Sequence, residues 1–401
     1  MDDHLFHLSN PALCADPYPA YRRIRAEEPV HYSQMYGGSW GIFSLDDVTE
    51  LLRDPRLTND RAALPLLALP AEERDQFADI VPVLSDWVAF FDGEEHALRR
   101  HHLDQVFRVL EPARIKAVVQ DVIDQLLTRW GDRPTVDLIA DFARPLPARV
   151  ISRLLGAPEE DHERLARWSD DIAYLFGAGT LTRADMARGR ASLQAFSAYL
   201  TLLSTDQVRR PESLIGAMTG TRTDGFAFTE HEVRAQCMLL MFAGLEPTRY
   251  LIGNAVWALH RAPDQLRLLL SRPALWPRAV EEFLRHDTPV QYIGRRAAET
   301  FTYQGNRIQK GQVVMLFAGS ANRDPAHFRD PDELRITRRE ARHVAFGLGP
   351  HYCIGGGLVR IQTRMALETL YSRMPDLRIS TPPVWNTNFG FYGHRSLTVS
   401  R

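Results

Sequence analysis

The chain has 401 residues, 45% hydrophobic, 24% charged and 9% aromatic, a globular balance that excludes a disordered, collagen-like or coiled-coil protein. Its 48 basic and 50 acidic residues leave a net charge of −2, too near neutral for a protein whose work is to coat nucleic acid. Only two of the 48 basic residues are lysines, Lys116 and Lys310, so nearly all positive charge is guanidinium, suited to bidentate pairing with carboxylates or phosphates. In chain order, the N-terminal stretch MDDHLFHLSNPALCADPYPAYRR has no basic start followed by an apolar run, so no export leader is expected. Strand-like runs follow at Val30–Tyr32 and Trp40–Ser44, and a Pro-rich stretch near 63–70 reads as a loop. Leu103, Val106, Phe107 and Leu110 give one apolar helix face. The richest apolar run, Cys237 to Leu245, is nine residues, against roughly 20 needed to span a bilayer. Further loops are expected near 272–277, 325–331 and 347–357, and strands at Phe301–Tyr303, Val313–Phe317 and Leu397–Val399. Ile354, Leu358, Ile361 and Met365 mark a second helix. No repeat and no linker divides the chain, so the expectation is one domain over 1–401, mainly α with small β-sheets. Cys14, Cys237 and Cys353 lie too far apart in sequence for a disulfide framework or a Cys-x-x-Cys metal site. A soluble, cytoplasmic protein with no nucleic-acid or membrane partner is expected.

The most informative stretch is Phe346-Gly-Leu-Gly-Pro-His-Tyr-Cys353-Ile-Gly-Gly-Gly. Such glycine content costs backbone entropy unless the chain must curl tightly against something. Helical periodicity begins directly afterwards, so Cys353 stands at a helix N-terminus, where free N–H groups and the dipole favour a thiolate of lowered pKa. From the residues alone three readings stand: a metal-bound sulfur, an inert buried cysteine, or a nucleophile activated by His351.

The segment resembles the haem-binding loop of the cytochrome P450 family, with Phe346, His351, Cys353 and Gly355 at its fixed positions. The resemblance implies a mainly helical P450-type domain, haem b as cofactor and Cys353 as the axial thiolate. Further matches follow in family order: Glu282-Phe-Leu-Arg285 resembles the family's Glu-x-x-Arg pair, Ala321-Asn-Arg-Asp-Pro325 and Phe328-x-x-Pro331 resemble the segment before the haem loop, and Arg338 falls in that stretch. Asp92-Gly-Glu-Glu-His96-Ala-Leu-Arg-Arg100 and Arg295 match further family positions. By resemblance His96, Arg100, Arg295 and His351 hold the haem propionates, whose buried charge needs such partners.

One segment departs from the family pattern. Gln236 to Arg249 resembles the long helix that crosses over the haem, with Ala243, Gly244 and Glu246 matching. The threonine that aids proton delivery is replaced by Pro247, and Thr248 comes about 100° further round the helix. Proline lacks an N–H, so the Ala243 carbonyl loses its helical partner and a kink is expected. Glu246, Pro247, Ala243 and Thr248 are the candidate catalytic positions. A peroxide-driven branch of the family also has proline here but replaces the acid by arginine, so Glu246 argues against that branch. Trp87, Phe90, Met241, Phe242, Leu245, Val290, Tyr292, Ile293, Phe391 and Tyr392 are expected to face a mostly apolar or aromatic metabolite. The expected activity is monooxygenation, in secondary metabolism; the alternatives are oxidative C–C or C–N coupling without oxygen insertion and a non-catalytic gas carrier or sensor, which a thiolate disfavours. The chain holds no flavin or iron–sulfur segment, so ferredoxin and ferredoxin reductase are the expected electron donors.

Overall fold

The computed structural model describes residues 10–400 apart from 110, 178–180, 208–209 and 341. Most of these residues are helical and the strands are short, so the fold is mainly α with small sheets. The helix Gly93–Val109 buries Leu103 and Val106 and half-buries Phe107, while Leu110 lies outside the described residues. The helix Gly356–Arg373 sets Leu358, Ile361 and Met365 against the core, but Ile354 precedes it in a turn. The 63–70 stretch holds a short helix, Leu64–Leu67, and the 272–277 stretch a 3-10 turn and the start of Trp276–His286, because proline is tolerated in a first helical turn.

The largest sheet runs in the order Val30–Ser33, Ser39–Ile42, Val313–Leu316, Ile293–Ala297, Leu57–Thr58. Its second and third strands are parallel and the other pairs antiparallel. The strand Ile293–Ala297 is absent from the sequence expectation because Ile-Gly-Arg-Arg-Ala shows no apolar alternation. The last strand begins at Thr398, with Leu397 fully buried just before it.

The helix Glu230–Arg261 runs through the core, opened by a capping box in which Thr229 and Glu232 satisfy each other's backbone N–H groups. It continues across Pro247, whose missing N–H leaves the Ala243 carbonyl without its usual helical donor. Gly244 lets the helix Pro145–Leu155 approach closely: a Cβ there would stand 2.2 Å from Ile151 Cδ1. On the helix Trp276–His286, Glu282 and Arg285 form a buried two-pronged pair at 2.8 Å on each prong, and Arg338 Nε adds a third contact at 3.1 Å. Lys116 and Lys310 are both exposed. Among the described residues no helix is long and apolar enough to cross a membrane.

Candidate active site

Cys353 ends a loop that glycine curls. Gly347 and Gly349 have φ of +68° and +72°, a region that residues with a Cβ rarely adopt. The curl lets the Cys353 N–H donate to the Phe346 carbonyl at 3.0 Å, and Phe346 meets Tyr352 edge-on. Burial raises the Cys353 thiol above its ordinary value, and the N–H groups of Gly355 and Gly356 offset this only in part. The lowered thiol expected from the sequence is therefore corrected: in an enclosed loop, desolvation outweighs the helix terminus. A metal ion at the sulfur would supply the missing positive charge. Among the described residues no cluster of three His, Cys, Asp or Glu could hold a bare ion, so a metal at Cys353 must bring other ligands with it, as a porphyrin does.

One end of the cavity beside Cys353 is cationic. Arg295, 3% exposed, donates among the described residues only to the Gly294 carbonyl, at 2.9 Å, and burial lowers it to about 9. His96 and His351 stack with ring centroids 3.7 Å apart. Burial, with His96 and Arg295 nearby, lowers His351 to about 3, so its 3.7 Å contact with Asp92 joins a neutral ring to a carboxylate. Arg100 donates to the Tyr352 carbonyl at 2.6 Å and to Asp104 at 3.2 Å. These groups suit the two carboxylates of a haem, so the donor set and the sulfur agree on the same cofactor.

Another part of the lining is aromatic. Trp87 lies near-parallel to Phe242 and Phe90, centroids 5.5 and 5.8 Å away, and Phe176 fills the space beside all three. Gln236 fixes this wall to the central helix, accepting from Val88 N at 3.0 Å and donating to the Asp86 carbonyl at 2.7 Å. The central helix contributes Ala243 and Pro247 to the lining. Thr248 Oγ1 is turned back onto the Gly244 carbonyl at 2.9 Å and is buried. Glu246, 2% exposed, accepts from Arg249 at 2.7 Å, and Arg249 in turn reaches Asp170 at 2.8 Å. Arg144 extends the chain from Asp170 to Glu163 near the surface. Burial pushes the Glu246 carboxyl up, to about 8, against the pull of Arg249.

A family description, cytochrome P450, matches residues 274–374, the stretch holding Glu282, Arg285 and the Cys353 loop. Cytochrome P450 133B1 of Xylella fastidiosa (strain 9a5c) is 32% identical, and the match covers 98% of both chains. The chain belongs to the cytochrome P450 family. The polyketide biosynthesis cytochrome P450 PksS of Bacillus subtilis (strain 168) is 30% identical over 100% of this chain and 99% of its own. The structure of P450BioI in complex with hexadec-9Z-enoic acid ligated acyl carrier protein is similar with a TM-score of 0.88 at 30% identity, covering 97% of this chain and 99% of that one. As a P450 the protein is a haem-thiolate oxidoreductase that takes a small molecule and electrons from a redox partner.

This P450 brings Trp87, Phe90, Phe242, Val290, Tyr292, Ile293 and Phe391 to the cavity, together with Ala243, Pro247, Arg295, Phe346, His351 and Cys353. Met241 and Leu245 are buried in the helical core instead, because two residues before Ala243 and Pro247 is about 200° round the helix. Tyr392 packs on Tyr18 and Trp385 and lines a separate groove. His96 and Arg100 stand behind His351 and Tyr352 rather than in the lining. The cavity also takes Leu239 and Leu251, which the four-residue spacing through Ala243 and Pro247 could have revealed. Asn59 and Arg61 come from a segment with no periodic signal, whereas Phe176 belongs to the amphipathic helix His162–Gly177, whose apolar spacing the sequence reading passed over.

Proposed function

We propose that this P450 holds haem b through Cys353, with the propionates on Arg295 and His351 and on His96 and Arg100 behind them, and oxidises a small, flat, mostly apolar or aromatic metabolite. The aromatic cluster of Trp87, Phe90, Phe176 and Phe242, which lines the same cavity as Cys353, carries this reading, since aromatic walls favour a planar apolar guest. When bound, the haem supplies oxidising power from dioxygen and two electrons. The protein excludes water with its aromatic rings and orients the guest between them and the cationic end. A secondary-metabolite substrate is supported by similarity to PksS, whose name places it in polyketide biosynthesis. Ferredoxin and its reductase in the cytoplasm complete the reading as electron donors.

A second reading, oxidative coupling, draws on the central helix. Its lining residues Ala243 and Pro247 carry no hydroxyl or acid, Thr248 faces Gly244, and Glu246 is tied to Arg249. Oxidative coupling removes two hydrogen atoms from aromatic substrate and, with two electrons and two protons from the donor, reduces dioxygen to two waters, so no oxygen enters the product. A ligand-induced spin-shift screen against aromatic and polyketide-like metabolites finds the substrate. Product mass under isotopically labelled dioxygen then decides: label in the product supports hydroxylation, and unlabelled coupled product supports the second reading. Failure of every planar apolar ligand to shift the spectrum counts against both.

A further inference from the structure

Buried arginines in this P450 fall into two kinds. Arg285 uses its donors throughout, two on Glu282 and the others on the carbonyls of Asn322, Pro331 and Glu333. Arg61 lines the cavity, yet its Nε is buried without a partner, and among the described residues its guanidinium makes no hydrogen bond or ion pair. Its guanidinium carbon lies 5.2 Å from the centre of the Phe90 ring, and the Tyr292 phenol and Asp92 are near enough to act on its charge. Burial lowers it to about 10, so it remains a cation at neutral pH. Asp92 is already taken, accepting from Thr58 Oγ1 and from both the backbone and side-chain nitrogens of Asn59. Arg61 is half-buried, and an Nε shut off from water with no partner is costly, which favours a ligand that meets the guanidinium.

We propose that Arg61 binds a carboxylate inside the cavity, a role that rests on the haem-thiolate reading above. A guanidinium fork offers parallel N–H groups that the two oxygens of a carboxylate match and a lone carbonyl does not. Gly294 leaves room beside it, since a Cβ there would stand 3.5 Å from Arg61 Nη1. The carboxylate has two sources: a haem propionate, with Arg61 joining Arg295, or the acid group of a substrate whose apolar body lies against Phe90.

The test uses haem-loaded wild-type enzyme and Arg61→Gln and Arg61→Lys variants. Each is first checked for the long-wavelength band of the reduced carbonyl complex. The probes are 2-naphthoate, 3-phenylpropionate and decanoate, each beside its amide, titrated through the haem spectrum; haem loss to apomyoglobin is timed in parallel. Acid binding about tenfold or more tighter than amide binding, abolished in Arg61→Gln, identifies a substrate carboxylate. Equal binding of acid and amide, with haem loss about tenfold faster in Arg61→Gln, identifies a propionate. Arg61→Lys keeps the charge and loses the fork, so a partly reduced acid preference or a partly faster haem loss supports the proposal should Arg61→Gln fail to fold. No acid preference and unchanged haem loss overturn it. Absence of the carbonyl band in wild-type enzyme overturns the haem-thiolate reading and this proposal together, whereas the preceding outcome overturns this proposal alone.

Discussion

The cationic residues near Cys353 are not equivalent, and their surroundings rank them. Arg295 is enclosed and donates once, to Gly294, whereas Arg100 is partly wet and already engages Asp104 and Tyr352. Arg295→Ala is expected to weaken haem retention by about 3–5 kcal/mol. Arg100→Ala is expected to cost about 1 kcal/mol or less. Haem loss timed for both variants measures the ranking, and equal loss would contradict it. His394 offers a separate test by pH. It is fully buried, both ring nitrogens lack partners, and burial lowers it to about 4 despite the attraction of Asp287. A base held below its unfolded value near 6.5 contributes stability above that value and loses it as pH falls toward 4. Urea unfolding of the wild-type enzyme should therefore lose about 2 kcal/mol between pH 7 and pH 5 that His394→Phe does not lose. Cys353 and His351 were legible from a local pattern and lie together at the cavity. Arg61 was not, because its meaning comes from Phe90 and Gly294, far away in sequence.

The central helix shows how one element divides its faces between cavity and core. Leu239, Ala243, Pro247 and Leu251 follow one stripe into the cavity, while Met241 and Leu245 pack behind it. Its existence was readable from the apolar run, but the assignment of each face needed the positions of its neighbours. Gly244 is constrained by the approach of Ile151 rather than by its own backbone angles. Gly244→Ala is expected to cost about 1–3 kcal/mol by overpacking. Ile151→Val should recover part of that cost in a double-mutant cycle followed by urea unfolding, and strictly additive effects would disprove the contact. Pro247 withholds one hydrogen bond from the Ala243 carbonyl, so Pro247→Ala should raise unfolding stability, by up to about 3 kcal/mol. Pro247→Thr places a hydroxyl on the cavity face. If the enzyme couples aromatic substrates, its expected outcome is a labelled hydroxylated side product with little gain in native product.

Across the whole molecule, the segments that carry family motifs are locked together by buried charge. Glu282 stays ionised although burial alone would raise it, because hydrogen bonds and charge from Arg285, with Arg338 beyond, lower it below the ordinary carboxylate range. Arg285→Leu would leave Glu282 with one guanidinium fewer in a dry site and is expected to cost about 3–5 kcal/mol. Replacing both Glu282 and Arg285 by apolar residues should cost less than the two single losses combined, as urea unfolding would show. The mainly helical class was legible in the spacing of apolar residues, whereas the strand Ile293–Ala297 was hidden by its two arginines and glycine. The preference for arginine has a practical consequence for finding the electron donor. Carbodiimide joins carboxylates to amines and leaves guanidinium untouched, so on this chain only Lys116 and Lys310, both exposed, offer a side-chain amine to a partner's carboxylate. The carboxylates of an acidic protein seated over Arg100 and Arg360, which both donate to Tyr352 of the cysteine loop, would meet guanidinium groups that carbodiimide cannot couple. A single Arg→Lys exchange on that face would therefore convert a silent footprint into a recordable cross-link, and its position would orient the pair.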